Sequence, residues 1–281
     1  MPHWIAAFPI EASRPRQGSL RNWLDHLVIN TGFATDTTAE LFAALGFTLT
    51  PRGYHSLGSI NHLIMFAGHY LELIGLPRDG AVLRQEILDS PPGIDGLVFG
   101  SADAAATHAA LVTAGFQVQP VQRFSRPVEI DGESSAAVFQ TVRLLPGQFP
   151  AGRIYFCQHE TPELVWRPEW LHHQNDVSGI EQLTIVSRAP AEAARRYAEL
   201  GKIDGGFKLA FVDEAGLRES FGDLAPREPG QAERFAAITF RVGSLDKMAD
   251  RVRQLDLPHA LEAGRLLVGI SAPPCLLEFV S

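Results

Sequence analysis

Long apolar runs and cysteines are scarce in this sequence of 281 residues. No stretch of 18 consecutive apolar residues occurs, which excludes a transmembrane helix. Two cysteines, Cys157 and Cys275, are too few for the disulfide framework of a small secreted protein. The first residues lack the charged beginning and long apolar core of a signal peptide. We therefore expect a cytoplasmic protein in which residues 1–22 form an irregular extension.

The sequence also contains fewer basic than acidic residues. The chain has 24 Lys and Arg against 32 Asp and Glu, a formal net charge of −8. This balance argues against a nucleic-acid partner, because phosphate contacts need clustered Lys and Arg. No GxGxxG, Walker or GxSxG motif occurs, which removes the common nucleotide-binding and serine-hydrolase classes. These absences identify no substrate.

One pattern recurs along the chain. A short run of branched apolar residues, typical of a strand, precedes an amphipathic stretch rich in Ala and Leu and then a glycine. Glycine commonly follows a helix end because it accepts the left-handed conformation there. The spacing from the middle of each run to its glycine is 19 or 20 residues. The three clearest runs are Leu24–Val28, Ile94–Val98 and Ile180–Thr184, with glycines Gly46, Gly115 and Gly201.

Further strands are expected after each helix, so the repeated unit is predicted to be βαβββ. A fourth, weaker copy begins at Ala236–Val242 and ends its helix at Asp256 instead of glycine. At roughly 150 residues per domain, the length favours two domains, and the units are too long and too few for a solenoid. We predict an α+β fold of two pseudo-symmetric domains, residues 23–165 and 178–281, with a connector at 166–177.

Four motifs link this repeat to a known superfamily. They are Leu24–Val28, Gly58–His62, Tyr70–Ile74 and Cys157–Pro162 with Trp166. The chain resembles the vicinal oxygen chelate superfamily, which includes glyoxalase I, extradiol dioxygenases and bleomycin-resistance proteins, and within it the glyoxalase-like domain family. The resemblance implies open-barrel mixed sheets around a divalent metal such as Fe²⁺, Mn²⁺, Zn²⁺ or Ni²⁺. It implies a small-molecule substrate with no nucleic-acid or membrane partner, and leaves a homodimer open.

The resemblance also implies where the metal ligands lie, on the first and last strands of the units. In the first domain these positions give His26 and Glu72 as metal ligands, whereas Gly96 cannot be one. The last strand of the second copy offers Gln158, as a substrate-binding residue, or His159, as the catalytic residue. In the second domain only Gln182 and Glu278 remain at such positions. We expect that domain to be degenerate and mainly structural.

Two more residues are candidates for binding the substrate. If Phe66 and Tyr70 flank a tight turn, Ile64 pairs with Glu72 and His62 with Ile74, and His62 then shares the face of Glu72. A register slip of one residue would turn His62 to the other face. Arg143 could meet an anionic substrate or be an ordinary surface charge.

Each histidine and carboxylate also has a simpler interpretation. A histidine on an apolar strand is more often a core residue than a ligand, and Glu72 could face an arginine or solvent. Burying Glu72 without any partner would cost several kcal/mol, about 2–7 for a neutral polar group alone. Two functions stay open: a metal-dependent enzyme with lyase, isomerase or dioxygenase chemistry, and a non-catalytic binding or resistance protein of the same fold.

Overall fold

Two complete βαβββ units form the first sheet. The computed structural model describes residues 21–79, 82–130, 133–226 and 231–281. The first unit consists of β1 (Arg21–Asn30), α1 (Thr35–Ala44), β2 (Gly53–Tyr54), β3 (Ile60–Phe66) and β4 (His69–Gly75). After the short helix α2 (Gln85–Asp89), the second unit consists of β5 (Gly93–Gly100), α3 (Ala104–Thr113), β6 (Gln122–Ile130), β7 (Glu133–Arg143) and β8 (Arg153–His159).

The strand order of this sheet repeats about a centre between β1 and β5. The order is β2-β3-β4-β1-β5-β8-β7-β6. The strands β1 and β5 run antiparallel, and each is parallel to the last strand of its own unit, β4 or β8. The edge strands β2 and β6 come close to each other, so the sheet nearly closes into a barrel. The predicted α+β fold with open-barrel mixed sheets is confirmed.

The third and fourth units form the second sheet, and the third is incomplete. The strand order of the second sheet is β11-β9-β12-β15-β14-β13. The three-residue strand β10 of the third unit pairs instead with β1 of the first sheet. The elements are β9 (Val177–Ser187), α4 (Pro190–Ala198), β10 (Lys202–Asp204), β11 (Lys208–Val212), α5 (Glu214–Phe221), β12 (Glu233–Val242), α6 (Leu245–Gln254), β13 (His259–Glu262), β14 (Arg265–Ser271) and β15 (Pro274–Val280).

The predicted stop signals lie at helix ends. The residues Gly46, Gly115 and Gly201 all have positive φ, at 89°, 94° and 113°, a conformation that side chains disfavour. At the end of α6, Asp256 adopts the positive φ instead of a glycine, at 51°. Asp is among the few residues that tolerate the left-handed region, so the fourth copy lacks the glycine that marks the other three.

One apolar core extends across both sheets. The ring of Phe240 on β12 lies 5.6 Å from Phe47 and 6.2 Å from Phe66, measured between centroids. From the connector, Asn175 Nδ2 donates to the carbonyl of Leu45 at 3.0 Å, and His173 bonds to backbone of the first unit. The two sheets are therefore packed together through the connector and through aromatic contacts.

The predicted irregular extension, residues 1–22, overlaps the start of β1. Residues 1–20 lie outside the described residues, whereas Arg21 and Asn22 belong to β1. Within the described parts of the chain, no helix has the length and apolar character needed to cross a membrane.

Candidate functional site

The concave side of the first sheet encloses a small cavity. Its free volume is about 30 Å³, which is room for about two water molecules, since one needs roughly 10–15 Å³ on this measure. Polar and charged side chains dominate the lining. The lining residues are His26, His55, Asn61, Leu63, Tyr70, Glu72, Arg84, Phe124, Arg126, Phe139, Thr141, Arg143, Tyr155 and Cys157.

A β-bulge positions His26 at this cavity. The pairing of β1 with β5 shifts between Leu24 and His26, which leaves Asp25 as the extra residue, and bulges of this kind re-aim side chains. His26 Nδ1 then donates to Asp25 Oδ1 at 2.6 Å. With the proton on Nδ1, the lone pair of His26 Nε2 points into the cavity, 3.2 Å from the Tyr155 hydroxyl and 3.7 Å from Glu72 Oε2.

Glu72 is the buried carboxylate of the cavity, with 6 % of its surface exposed. Asn61 Nδ2 donates to its Oε1 at 2.6 Å. Burial alone would raise the pKa of Glu72, but His26 nearby and the hydrogen bond from Asn61 outweigh it and hold the pKa below its usual value. The carboxylate is therefore ionised, with Oε2 directed toward His26.

His55 approaches Glu72 from the other side and is not among the site residues predicted from the sequence. Its Nε2 lies 4.0 Å from Glu72 Oε1 and 3.3 Å from Asn61 Nδ2, which donates to it. Its Nδ1 therefore carries the proton and donates to Ser59 Oγ at 2.8 Å. Burial lowers the pKa of His55 to about 4, so the imidazole is neutral. His55 precedes β3 in a loop, where no strand periodicity could indicate its direction.

In the second unit, Tyr155 on β8 occupies the position that Glu72 occupies on β4 of the first unit. Val28 pairs with Glu72 across β1 and β4, and its counterpart Val98 pairs with Tyr155 across β5 and β8. Tyr155 is thus the counterpart of Glu72. Burial raises the pKa of the Tyr155 hydroxyl above its usual value, so it remains a proton donor at neutral pH.

The predicted pairing of His62 is wrong. The turn between β3 and β4 has two residues, and His62 pairs with Leu73 while Leu63 pairs with Glu72. Because side chains alternate along a strand, His62 lies on the face opposite Glu72. There its Nδ1 donates to the carbonyl of Thr50 at 2.8 Å. The observed register of β3 and β4 is therefore shifted by one residue from the predicted one.

Neither candidate from the end of β8 lines the cavity. The side-chain oxygen of Gln158 accepts from the backbone N–H of Ala104 at 2.8 Å, at the first residue of α3. His159 lies behind His26, and its Nε2 donates to the Asp25 carboxylate at 3.0 Å. Asp25 thus accepts hydrogen bonds from two histidines, and His159 is linked to His26 through this carboxylate.

One further group of donors has metal-like spacing. In the parts of the chain that the structure describes, the ligand atoms of Asp25, Cys157 and His159 lie within 4.8 Å of one another. The negative charge of this group is already engaged, because Asp25 accepts from His26 and His159. Burial raises the pKa of the Cys157 thiol well above its usual value, so the thiol is a poor ligand without a metal to deprotonate it.

Arg143 lines the cavity but is held by a carboxylate outside it. Its Nη1 donates to Glu86 at 2.7 Å, and Arg84 and Arg153 donate to the same carboxylate at 2.7 and 3.0 Å. Burial alone would raise the pKa of Glu86, but the three arginines outweigh it and lower the pKa to about 2. The surface-charge interpretation of Arg143 is wrong, because only 7 % of the residue is exposed.

The corresponding residues of the second sheet do not form a similar site. Glu278 Oε2 accepts from Thr239 at 2.7 Å, and its Oε1 accepts from Arg265 at 3.2 Å. Among the residues that the structure describes, Gln182 Nε2 donates only to Thr184 Oγ1, at 3.5 Å. Both oxygens of Glu278 therefore have protein partners, unlike Glu72 Oε2.

Comparison with known proteins identifies the family and the fold. The family model for the glyoxalase-like domain matches residues 24–201, which is more than half of the chain. No curated protein sequence matches significantly.

Solved structures share the fold at low sequence identity. A hypothetical protein from Staphylococcus aureus has a TM-score of 0.59 at 12% identity, covering 92% of this chain and 98% of its own. A mutant of 4-hydroxymandelate synthase from Streptomyces coelicolor has a TM-score of 0.52 at 12% identity, covering 92% of both chains. A fusion of a xylose isomerase-like TIM barrel with 4-hydroxyphenylpyruvate dioxygenase has a TM-score of 0.54 at 10% identity, covering 97% of this chain and 50% of that one.

These neighbours show the fold alone, and the family match adds the assignment. The paired units, the nearly closed first sheet and the matched residues 24–201 agree with one another. The chain therefore belongs to the glyoxalase-like domain family of the vicinal oxygen chelate superfamily.

Proposed function

We propose that the protein is a metal-dependent enzyme that acts on a small, oxygen-rich organic molecule in the cavity of the first sheet. One observation carries the proposal. The Nε2 atoms of His26 and His55 lie on the two sides of the Glu72 carboxylate, 3.7 Å from Oε2 and 4.0 Å from Oε1. Two imidazoles and one carboxylate are a ligand set that suits Fe²⁺ and related borderline cations.

The donors fit a divalent cation. Metal-binding histidines usually donate their other nitrogen to a carboxylate or similar acceptor, and here Asp25 and Ser59 accept from the Nδ1 atoms of His26 and His55. His26 Nε2 and Glu72 Oε2 would hold the metal. His55 would join them once the Asn61 amide turns away from its Nε2.

The residues around these donors fit chemistry on an oxygen-bearing substrate. When bound, the metal would supply a Lewis acid that polarises a carbonyl or enediolate oxygen. The Tyr155 hydroxyl, which stays protonated, can donate to an oxygen that becomes negative.

Metal content after purification without chelators tests the proposal. We expect bound metal in the parent protein and its loss in Glu72→Gln, which keeps shape while removing the charge, and in His26→Ala. The control is Glu278→Gln, the counterpart in the second sheet, which should keep the metal. No metal in the parent, or unchanged content in both first-sheet variants, would end the metal proposal. Metal lost only in Glu278→Gln would move the site to the second sheet.

The reaction class can be separated in the same preparation. Ring-opening dioxygenase chemistry consumes O₂, whereas lyase and isomerase chemistry next to a carbonyl does not. Oxygen uptake with a panel of catechols, measured on the parent protein and on Glu72→Gln, therefore distinguishes dioxygenase chemistry from lyase or isomerase chemistry.

A non-catalytic binding protein is the second candidate. It is favoured by Gly96, which supplies no ligand, and by the Asn61 amide, which already bridges Glu72 and His55. A parent protein that binds small molecules without metal and without turnover would support it. The cytoplasmic location, the homodimer and the mainly structural role of the second domain stay predictions.

A further inference from the structure

Arg126 is a buried cation that forms no ion pair with a carboxylate of the described residues, and Glu72 attracts it only from beyond ion-pair distance. It lies on β6, lines the cavity and is 4 % exposed. No carboxylate of the described residues comes within 4.0 Å of its guanidinium, and its buried Nη2 has no hydrogen-bond partner among them. Burial lowers its pKa, yet a guanidinium stays protonated in proteins. An unpaired buried charge is costly to the fold, and an anionic ligand would remove that cost.

Three more polar atoms at the same cavity lack partners. They are Thr141 Oγ1, Arg143 Nε and Asn61 Oδ1. Apart from the proposed metal ligands, which line the same cavity, these atoms and Arg126 offer N–H and O–H donors in excess over a single carbonyl acceptor, Asn61 Oδ1. A complementary ligand therefore carries several acceptor oxygens and one donor.

Gly53 brings two of these groups together. A Cβ built on Gly53 would lie 2.2 Å from Asn61 Oδ1 and 3.3 Å from Arg126 Nη1. The bare backbone at this position thus lets both side chains approach the same point. Since Asn61 also donates to Glu72, a ligand bound by Arg126 would lie next to the proposed metal ligands.

We propose that Arg126 binds the carboxylate of a small hydroxycarboxylate substrate, whose hydroxyl donates to Asn61 Oδ1. This inference rests on the proposed function only in calling the ligand a substrate. A carboxylate fits better than a phosphate, because the neighbouring arginines Arg84 and Arg143 are already paired with Glu86. One free guanidinium matches one carboxylate with its planar fork.

Calorimetric titration with glycolate tests the assignment, on protein dialysed against a chelator so that no metal contributes. Glycolamide, a neutral analogue of similar size, and inorganic phosphate are titrated in parallel. The variants are Arg126→Gln and Arg126→Lys. The matched control is Arg123→Gln on the same strand, where Arg123 is exposed and paired with Glu160.

We expect glycolate to bind the parent and Arg123→Gln equally, and about ten- to a hundredfold more weakly to Arg126→Gln, the range for a hydrogen bond to a charged group. Arg126→Lys should fall between them, because it keeps the charge without the fork. Glycolamide and phosphate should bind at least about tenfold more weakly than glycolate. The melting temperature of Arg126→Gln should not fall, because the variant removes an unpaired buried charge.

Several results would overturn the inference. They are no glycolate binding by the parent, equal binding of glycolate and glycolamide, tighter binding of phosphate, or unchanged binding by Arg126→Gln. A lower melting temperature in both Arg126 variants with unchanged glycolate affinity would show a structural role. Because these titrations use protein without metal, they test carboxylate binding by Arg126 even if the metal proposal fails.

Discussion

His26 Nδ1 lies 2.6 Å from a carboxylate oxygen of Asp25, the residue directly before it in the chain. Consecutive side chains of a regular strand point to opposite faces, so this contact depends on the β-bulge at Asp25. The same carboxylate accepts from His159. Burial alone would raise the pKa of Asp25, but the two histidines, His159 more than His26, hold it well below its usual range. A single local irregularity thus orients the proposed metal ligand.

Replacing Asp25 with Asn should weaken metal binding while leaving every proposed ligand in place. An amide oxygen carries no charge and cannot hold two histidine N–H groups as firmly, so His26 loses its fixed direction. We expect metal affinity to fall about 10–100-fold, the usual effect of losing such a partner. Competition with a chromogenic chelator measures it. Asp36→Asn, an exposed carboxylate on α1, is the control, and equal affinities in the two variants would refute this role.

Acid should destabilise the protein through Glu86. Its pKa is lowered to about 2 in the folded state from the 4.5 of a free Glu. A carboxylate with a depressed pKa contributes stability that is present above pH 4.5 and is lost as the pH falls toward 2. In Glu86→Gln this contribution is absent, so the loss of melting temperature between pH 5 and pH 2.5 should be smaller than in the parent. If the melting temperatures of the parent and of Glu86→Gln fall equally with pH, the charge of Glu86 does not contribute to stability through the three arginines.

His55 should add a second pH window. Its pKa is lowered to about 4 from the 6.5 of a free His, because burial disfavours the charged form. The neutral folded state is then fully stabilised above pH 6.5 and loses stability as the pH falls toward 4. We expect His55→Gln to lose less melting temperature over that window than the parent. His259→Gln, at an exposed histidine of β13, should behave like the parent.

Gly96 should be required for packing. A Cβ at this position would lie 2.8 Å from Val28 Cγ2 and 2.9 Å from Val28 Cβ, and Val28 is fully buried. Gly96→Ala is therefore expected to destabilise the protein by about 1–3 kcal/mol through overpacking. Urea denaturation measures the change, and the double variant with Val28→Ala should recover part of it. If the double variant recovers none of the lost stability, the strain in Gly96→Ala does not come from contact with Val28.

The repeat was readable from the sequence because each copy depends on local features. Branched apolar runs, amphipathic helices and glycines with positive φ, such as Gly46 and Gly115, are set by neighbouring residues. His26 and Glu72 could be singled out because each is a polar residue within an otherwise apolar strand.

The rest of the site depends on contacts between distant segments. Whether His62 or Leu63 faces Glu72 depends on the length of one turn, and a change of one residue reverses it. His55, Tyr155 and Arg126 join the cavity from a loop, from the last strand of the second unit and from the opposite edge of the sheet. No local spacing relates these three positions.

The sequence by itself determined the fold class, the order of the units and the two strands that carry His26 and Glu72, because these follow from hydrophobic periodicity and backbone preference. Only the tertiary structure decided which side chains share the cavity. Register, the bulge at Asp25 and the near closure of β2 on β6 are set by long-range pairing. The charge of Glu72 is kept by His26 and Asn61 against the effect of burial. These contacts, like the burial of Arg126, exist only in the packed structure.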